Sequence, residues 1–397
     1  MKKKPGAGQR VWIGTTVPET LGFFRKWTAA LEGHGFELSF WSSPGPSLRR
    51  FGDEERCVTA AIQQSRSIAP IRDLLALAKL CGLFVRERPA IVHAHTPKAG
   101  ILGMLAAMLA AVPVRMYHIH GFPFVTLAGG KRRLLQCVDR VAVKCATGVY
   151  AVGDGVRRTA EEEGIAERGE IRVLLHGSIS GVDARERFNP ERFPAGQRQA
   201  RRTALGIETG ATVVLFAGRL VKDKGVAELI GAWRRVAAAE PKAYLVVIGG
   251  YDERDDSGAR FHRELSELPR CRVAGAVEDP ENFYAVADML VLPTYREGLP
   301  YALLEAAAMA RPVIASRVPG CCDIVKDGET GQLVPVRDVE AIANAMKKYI
   351  ADPELGRRHG RQARDLVLAE YSPQDMWVAV AREYELSLVR SGESNVV

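Results

Sequence analysis

The sequence predicts an α/β protein made of two doubly wound, parallel-sheet domains, and two observations carry that reading. At 397 residues the chain is too long for one ordinary hydrophobic core. Short apolar runs alternate with amphipathic helical stretches, and the alternation starts afresh near the middle. That is the pattern of parallel strands covered by helices on both faces.

In the first half, Val11–Ile13 opens as a buried strand that runs into Gly14, Thr15 and Thr16. Leu21–Leu31 has helical spacing, and Phe36–Trp41 reads as a second strand. Ile68–Arg86 is a helix, Ala90–His95 a strand after Pro89, and Ala99–Ala111 another helix. Val114–Ile119 is a strand ending at His120 and Gly121, followed by helix Lys131–Cys145 and strand Gly148–Val152. A polar, arginine-rich helix ending at Leu205 then leads into strand Thr212–Ala217. Helix 225–239, strands Tyr244–Ile248 and Cys271–Val273, helix 281–287 and strand Met289–Leu292 continue the second run. Helix 300–310 and strands Pro312–Ala315 and Gln332–Val334 complete it. With a hinge near 180–190, the expected domains are 1–182 and 183–372, and a last helix, Pro373–Leu388, opens the segment 373–397. Ligands of such sheets sit beyond the carboxyl ends of the strands, so two sheets facing one another would enclose a cleft there.

Composition narrows the function. Hydrophobic residues make up 47% and charged residues 26%, the balance of a folded, water-soluble chain. The net charge of +8 is unevenly placed: residues 1–180 carry 25 Lys+Arg against 15 Asp+Glu, and the rest 30 against 32. A basic first half seeks anionic company, whereas a nucleic-acid protein would be basic throughout. Seven cysteines, none at C-x-x-C spacing, indicate neither a zinc site nor a disulfide framework, and a reducing cytoplasm fits. The apolar stretch Ile101–Val114 is too short to span a bilayer, and the start reads as a loose tail rather than a secretory signal.

The chemistry concentrates after two strands of the second half. In residues 293–306, Glu297 and Glu305 flank a loop-to-helix turn through Gly298, Leu299 and Pro300, with Pro300 suited to the first helical position. Amides at such a helix start attract phosphate or sugar oxygens. Glu305 stands in an otherwise apolar helix, where a charge needs a partner, and a ribose diol would serve. Gly218, Arg219 and Lys224 follow strand 212–217 and offer two cations to a diphosphate. The bland alternatives are a capping glutamate, a solvent-facing one and solvated basic residues.

These segments resemble the donor-binding signature of retaining glycosyltransferases of the GT-B fold, family 4, with two Rossmann-like domains. Glu297 and Glu305 match that family's E-x7-E motif, and Arg219 with Lys224 its diphosphate-binding pair. Residues 177–190 match its hinge segment, and residues 92–100 and 119–124 are similar to bacterial capsule and lipid-linked oligosaccharide transferases. The resemblance implies a nucleoside diphosphate sugar donor, UDP-linked, with Glu305 on the ribose and Glu297 on the sugar hydroxyls. It implies that the backbone at Val277 receives the base and that Thr15 and Thr16 approach the phosphates. It also implies that His120 contacts the sugar at the bond being broken, with retention at the anomeric carbon. The final helix would cross back to the first domain.

His95 and Lys98 are acceptor-side candidates. The acceptor is expected to be a polyprenyl-diphosphate-linked sugar. The segment Lys98–Lys144, with Lys131, Arg132 and Arg133, would lie against an anionic membrane at the inner face of the cell membrane. His93, His95 and His118 alternate along strands without a nearby carboxylate, and Asp252, Asp255 and Asp256 lack D-x-D spacing, so no metal or other cofactor is expected. No G-x-G-x-x-G is present, which disfavours a dinucleotide dehydrogenase. The competing readings are a sugar-nucleotide epimerase of the same architecture and a non-catalytic nucleotide-sugar-binding protein.

Overall fold

The computed structural model describes residues 8–65, 67–251 and 256–392. Met1–Ala7, Glu393–Val397, Asp252, Asp255 and the Asp256 side chain lie outside what is described, and with them the acidic loop and most of both tails. The chain divides into two compact units, one of residues 1–181 with 373–397 and one of residues 182–372.

The first unit carries a seven-stranded sheet, every pair parallel. In chain order it runs β1 (Gln9–Gly14), α1 (Trp27–Glu32), β2 (Phe36–Ser42), α2 (Pro46–Glu55), β3 (Val58–Ala61) and α3 (Pro70–Glu87). It continues through β4 (Ile91–His95), α4 (Pro97–Leu109), β5 (Val114–Ile119), α5 (Gly129–Cys145), β6 (Gly148–Ala151), α6 (Asp154–Glu162) and β7 (Ile171–Val173). The strand order is β3-β2-β1-β4-β5-β6-β7, so the winding reverses between β1 and β4. Strands β1 and β4 register Val11 with Ile91 through Gly14 with Ala94, both strands fully enclosed over that span apart from Trp12 at 3% exposure. Such two-sided burial explains why β1 reads as an unbroken apolar run, whereas β4 also buries His93 and His95.

The second unit holds a six-stranded parallel sheet. Its elements are α7 (Ala195–Ala204), β8 (Thr212–Ala217), α8 (Val226–Ala239), β9 (Ala243–Ile248), α9 (Asp256–Ser266), β10 (Cys271–Gly275) and α10 (Glu281–Val286). After them come β11 (Met289–Leu292), α11 (Tyr301–Ala308), β12 (Val313–Ser316), α12 (Pro319–Cys322), β13 (Gly331–Val334), α13 (Val339–Ala351) and α14 (Pro353–Glu370). The order β10-β9-β8-β11-β12-β13 reverses between β8 and β11. The two fingerprint loops, 218–225 and 293–300, leave these two neighbouring strands.

The last helix, α15 (Pro373–Arg390), packs on the first sheet. Tyr384 meets Phe36 edge-on at 5.3 Å between ring centres, and its hydroxyl lies 2.8 Å from His93 Nδ1. Tyr150 donates to Glu383 at 2.8 Å, and Arg172 pairs with the same carboxylate at 2.7 Å.

The structure departs from the sequence reading in several places. Leu21–Leu31 is two pieces, a 3-10 turn over Pro18–Phe24 and then α1, separated by Lys26 at φ 66. Pro300 caps α11 from outside in extended conformation, and the helix proper begins at Tyr301. Elements β3 and β7 were not read because they are short edge strands, with Val58 60% exposed. Helices α13 and α14 were also passed over, although each has a sequence signal: Asp338 accepts from the Ala341 amide, and Asp352 accepts from the Leu355 amide with Pro353 at the first position.

Close approach of Trp41 fixes the end of β1. A side chain at Gly14 would collide with the Trp41 indole, which has no exposure and cannot swing aside. Gly14→Ala is expected to cost about 1–3 kcal/mol through overpacking. In urea the first unit's unfolding midpoint should fall by a corresponding amount, and an unchanged midpoint would contradict this packing.

Candidate active site

In the second unit the carboxyl ends of β8, β9 and β10 surround a cavity of about 280 Å³. Gly218, Gly249, Gly250, Val277, Tyr284 and Glu305 are among its lining residues. The backbone steps from strand to strand at its floor, with the Gly218 amide donating to Ile248 and the Gly249 amide to Gly275. It lies on the carboxyl-end side of the sheet, where open α/β sheets bind ligands, beside the point where the strand order reverses. A larger cavity, about 430 Å³, opens in the first unit near the amino ends of β1 and β2, between Gly8, Phe36 and Arg56. That end of a parallel sheet lacks the converging strand-to-helix turns that make a site.

Glu305 is the acid of the cavity. It projects from α11 among Leu303, Leu304, Ala306 and Ala307, all buried. Desolvation by these neighbours pushes its carboxyl up to about 7; the Tyr284 hydrogen bond and the charge of Arg187 oppose the rise, and Glu281 adds to it. Tyr284 donates to Oε2 at 2.8 Å, and Glu305 lines the cavity. The carboxylate is therefore oriented before any ligand arrives. Nothing in the sequence around Tyr284 signals this partnership, because it depends on α10 packing beside α11.

The neighbouring loops are stitched to each other. Lys224 Nζ pairs with Glu297 Oε1 at 2.5 Å, the side chains 22% and 10% exposed. Arg296 pairs with Asp223 at 2.8 Å. The Tyr295 amide and the Thr294 hydroxyl both donate to the Asp223 carbonyl. Gly225 has φ 68, and any side chain there would strike the Pro293 carbonyl, so the two loops touch backbone to backbone. Lys224 and Glu297 thus face one another rather than standing apart, each neutralising the other's charge. Arg219 is exposed beside Gly218, while Leu299 is buried and Gly298 half-buried at the entry of α11.

In the first unit, the residues after β1, β4 and β5 come together differently from expectation. Thr15 has no exposure, and its hydroxyl donates to Ser42 and the Val17 carbonyl. The Thr16 amide and hydroxyl both engage Thr96 Oγ1. These two threonines hold the loop's own shape through bonds to Ser42, Thr96 and the Ala99 amide. His95, also without exposure, does not present its ring to an acceptor; its Nδ1 lies 2.9 Å from His120 Nε2. Lys98 pairs with Asp73 of α3 at 2.6 Å, so its ammonium is already neutralised. His120 is half-buried past the end of β5, and burial, then the charge of His118, depresses its pKa well below the ordinary imidazole value. It is a neutral ring at pH 7.

Comparison with known proteins decides the family. Residues 23–177 match the family model described as a glycosyl transferase 4-like domain, and residues 211–352 the one described as glycosyl transferases group 1. Over 383 residues the chain is 30% identical to the capsular polysaccharide biosynthesis glycosyltransferase CapM of Staphylococcus aureus, covering 96% of this chain and 98% of that protein. It belongs to the GT-B glycosyltransferases. A second relative of this glycosyltransferase, 28% identical, is the UDP-Gal:alpha-D-GlcNAc-diphosphoundecaprenol alpha-1,3-galactosyltransferase of Escherichia coli, with 73% of this chain and 74% of that one aligned. Its fold is shared by HepE of Anabaena, solved in complex with UDP and glucose, at a TM-score of 0.78 and 17% identity over 95% of this chain and all of that one.

The raised Glu305 pKa has a consequence for the glycosyltransferase's stability. The folded state binds this proton more tightly than the unfolded state, so stability is highest below the unfolded carboxyl pKa and falls as pH rises toward about 7. Glu305→Gln removes that loss. Urea unfolding at pH 5 and pH 8.5 should show the variant gaining on the wild type at the higher pH, and equal gaps at both would remove the desolvated carboxyl.

Proposed function

We propose that this glycosyltransferase moves a hexose or N-acetylhexosamine from a UDP-sugar to a lipid-linked or glycan acceptor in surface polysaccharide synthesis, with retention at the anomeric carbon. The observation that carries the donor assignment is the Glu305 carboxylate, its Oε2 held by Tyr284, at the rim of a glycine-floored cavity. A ribose diol donating to that carboxylate would favour its ionised form and lower its pKa on binding. The base would lie along Gly250 and Val277, and Gly218 would admit the phosphates close to the backbone.

Bond breaking leaves negative charge on the diphosphate. Arg219, Lys224 and the backbone at Gly298 and Leu299 supply positive potential where it develops. Lys224 would exchange Glu297 for the phosphate, releasing the Glu297 carboxylate to accept hydrogen bonds from the sugar hydroxyls. One ion pair thereby stores both groups until the donor arrives. His120, neutral and braced by His95, would contact the sugar at the reacting carbon. Support for a UDP-sugar and a diphosphate-lipid acceptor comes from the Escherichia coli relative, whose name states both. The capsule relative supports the polysaccharide setting.

A lipid-linked acceptor requires access to a bilayer. No described helix is long and apolar enough to cross one. Within the expected contact segment α4 buries Ala99, Leu102, Met104, Ala106 and Ala107 as core, while Leu109, Leu134 and Val141 are exposed. A further set of exposed apolar side chains stands on α3, where Ile71 is 79% and Leu74 67% exposed, alongside Leu75 and Val85. Arg72, Lys79 and Arg86 flank them in exposed positions. An apolar stripe edged by cations suits an anionic membrane surface at the cytoplasmic face. Co-sedimentation with anionic vesicles should be strong for the wild type and weak for the Ile71→Ser/Leu75→Ser double variant. Equal binding would place the contact elsewhere.

Turnover is tested by UDP release from a panel of UDP-sugars with a prenyl-diphosphate-linked sugar. Release should depend on the acceptor, whereas an epimerase would isomerise the donor alone. Glu305→Ala and Lys224→Ala should each lower kcat/KM by roughly 100-fold or more, with circular dichroism unchanged. Wild-type rates in either variant would remove the site assignment.

A further inference from the structure

Four histidines gather on one face of the first sheet. His93 and His95 alternate along β4, His118 lies on β5 in register with His95, and His120 follows two residues later. Period-two alternation on neighbouring parallel strands turns their side chains to the same side. The ring centres of His93 and His95 are 4.1 Å apart, those of His95 and His118 5.2 Å, and those of His93 and His118 5.6 Å. His93 and His95 have no exposure, and His118 is 2% exposed.

Their hydrogen bonds are one-sided. His93 Nδ1 meets the Tyr384 hydroxyl at 2.8 Å, and His95 Nδ1 meets His120 Nε2 at 2.9 Å. When each Nδ1–H donates outward, each Nε2 keeps its lone pair. Both of those Nε2 atoms are buried without a hydrogen-bond partner, and His118 has the Ala151 backbone near one of its nitrogens and no partner for the other. An unsatisfied buried polar atom costs about 1–3 kcal/mol, so three together, one from each ring, call for an occupant that all can bond.

We infer that His93, His95 and His118 hold a divalent d-block cation of the zinc class. One nitrogen from each ring lies within 4.8 Å of the other two. Zinc bonds imidazole nitrogen at about 2.0–2.1 Å, which asks for nitrogens about 3.4 Å apart. Small rotations of the rings toward their common centre supply that closure. Three neutral imidazoles form a donor set that suits zinc, copper or nickel and disfavours magnesium or calcium. A water or hydroxide would complete a tetrahedron and offset part of the charge brought into the core.

The outward bonds then acquire a role. Metal-bound histidines characteristically donate their other nitrogen to an outer partner that fixes the ring. Tyr384 serves His93, and His120 serves His95. The ion would tie β4 and β5 to α15 and hold the ring of His120 through His95. This inference stands on the first unit alone and does not depend on the donor assignment. The sequence reading weighed against a metal here because no carboxylate stands near, but a three-histidine set needs none.

The test uses the full chain with any affinity tag removed, equilibrated with excess zinc and then dialysed. Elemental analysis should find about one equivalent per chain, and cobalt substitution should give the visible bands of a tetrahedral ion. His118→Phe keeps the ring's bulk and should lose the metal. Tyr384→Phe should weaken affinity roughly 10-fold or more while still binding. Thermal unfolding of the wild type should shift upward with zinc and that of His118→Phe should not. Wild-type protein holding less than about a tenth of an equivalent, or His118→Phe retaining the full amount, would overturn the assignment and leave water as the occupant.

Discussion

The ion pair between Lys224 and Glu297 joins the loops that leave β8 and β11, the two strands between which the second sheet reverses its winding. Reversal of that kind parts the helices above the sheet and opens a crevice. The pair, the Arg296–Asp223 bridge beside it and the backbone contact at Gly225 hold the two loops at a fixed spacing. Glu305 then stands on a helix whose entry is already positioned. The cavity's shape follows from this tie more than from any single lining residue.

Electrostatic economy runs through both units. Among the described residues, several ionisable groups of each unit are stored in neutral combinations. Lys224 is paired with Glu297 in the second unit and Lys98 with Asp73 in the first, where burial also keeps His120 and His95 well below the ordinary imidazole pKa. Burial in its apolar helix pushes the Glu305 carboxyl up to about 7. A ligand that carries two phosphates and a ribose diol brings the partners that these groups lack, so binding energy would come from exchange rather than from new desolvation. The histidine cluster is the contrasting case: its buried lone pairs have no internal partner to exchange.

Several elements were legible because their signals are local. Period and apolar content marked β1, β8 and β9, since a strand buried on both faces is largely apolar along its length. Glu305 stood out as a lone charge in an apolar helix. Asp338 and Asp352 were equally local as helix caps for α13 and α14, and attention to caps would have found both helices. The partners of Thr15 and Thr16 were not legible, for the opposite reason. Their partners are Ser42 and Thr96, 27 and 80 residues away, and no local rule says that those hydroxyls would take them.

The amino-acid sequence alone determined the two-sheet α/β architecture, the positions of the loops after β8 and β11, and the family, because these depend on periodicity and on short motifs. Only the tertiary structure decided which charges meet. Tyr284 on Glu305, Lys224 on Glu297, and His95 on His120 are products of strand order and helix packing. Charges and hydrogen bonds act over a few ångströms, and folding sets those distances between residues that the chain keeps far apart.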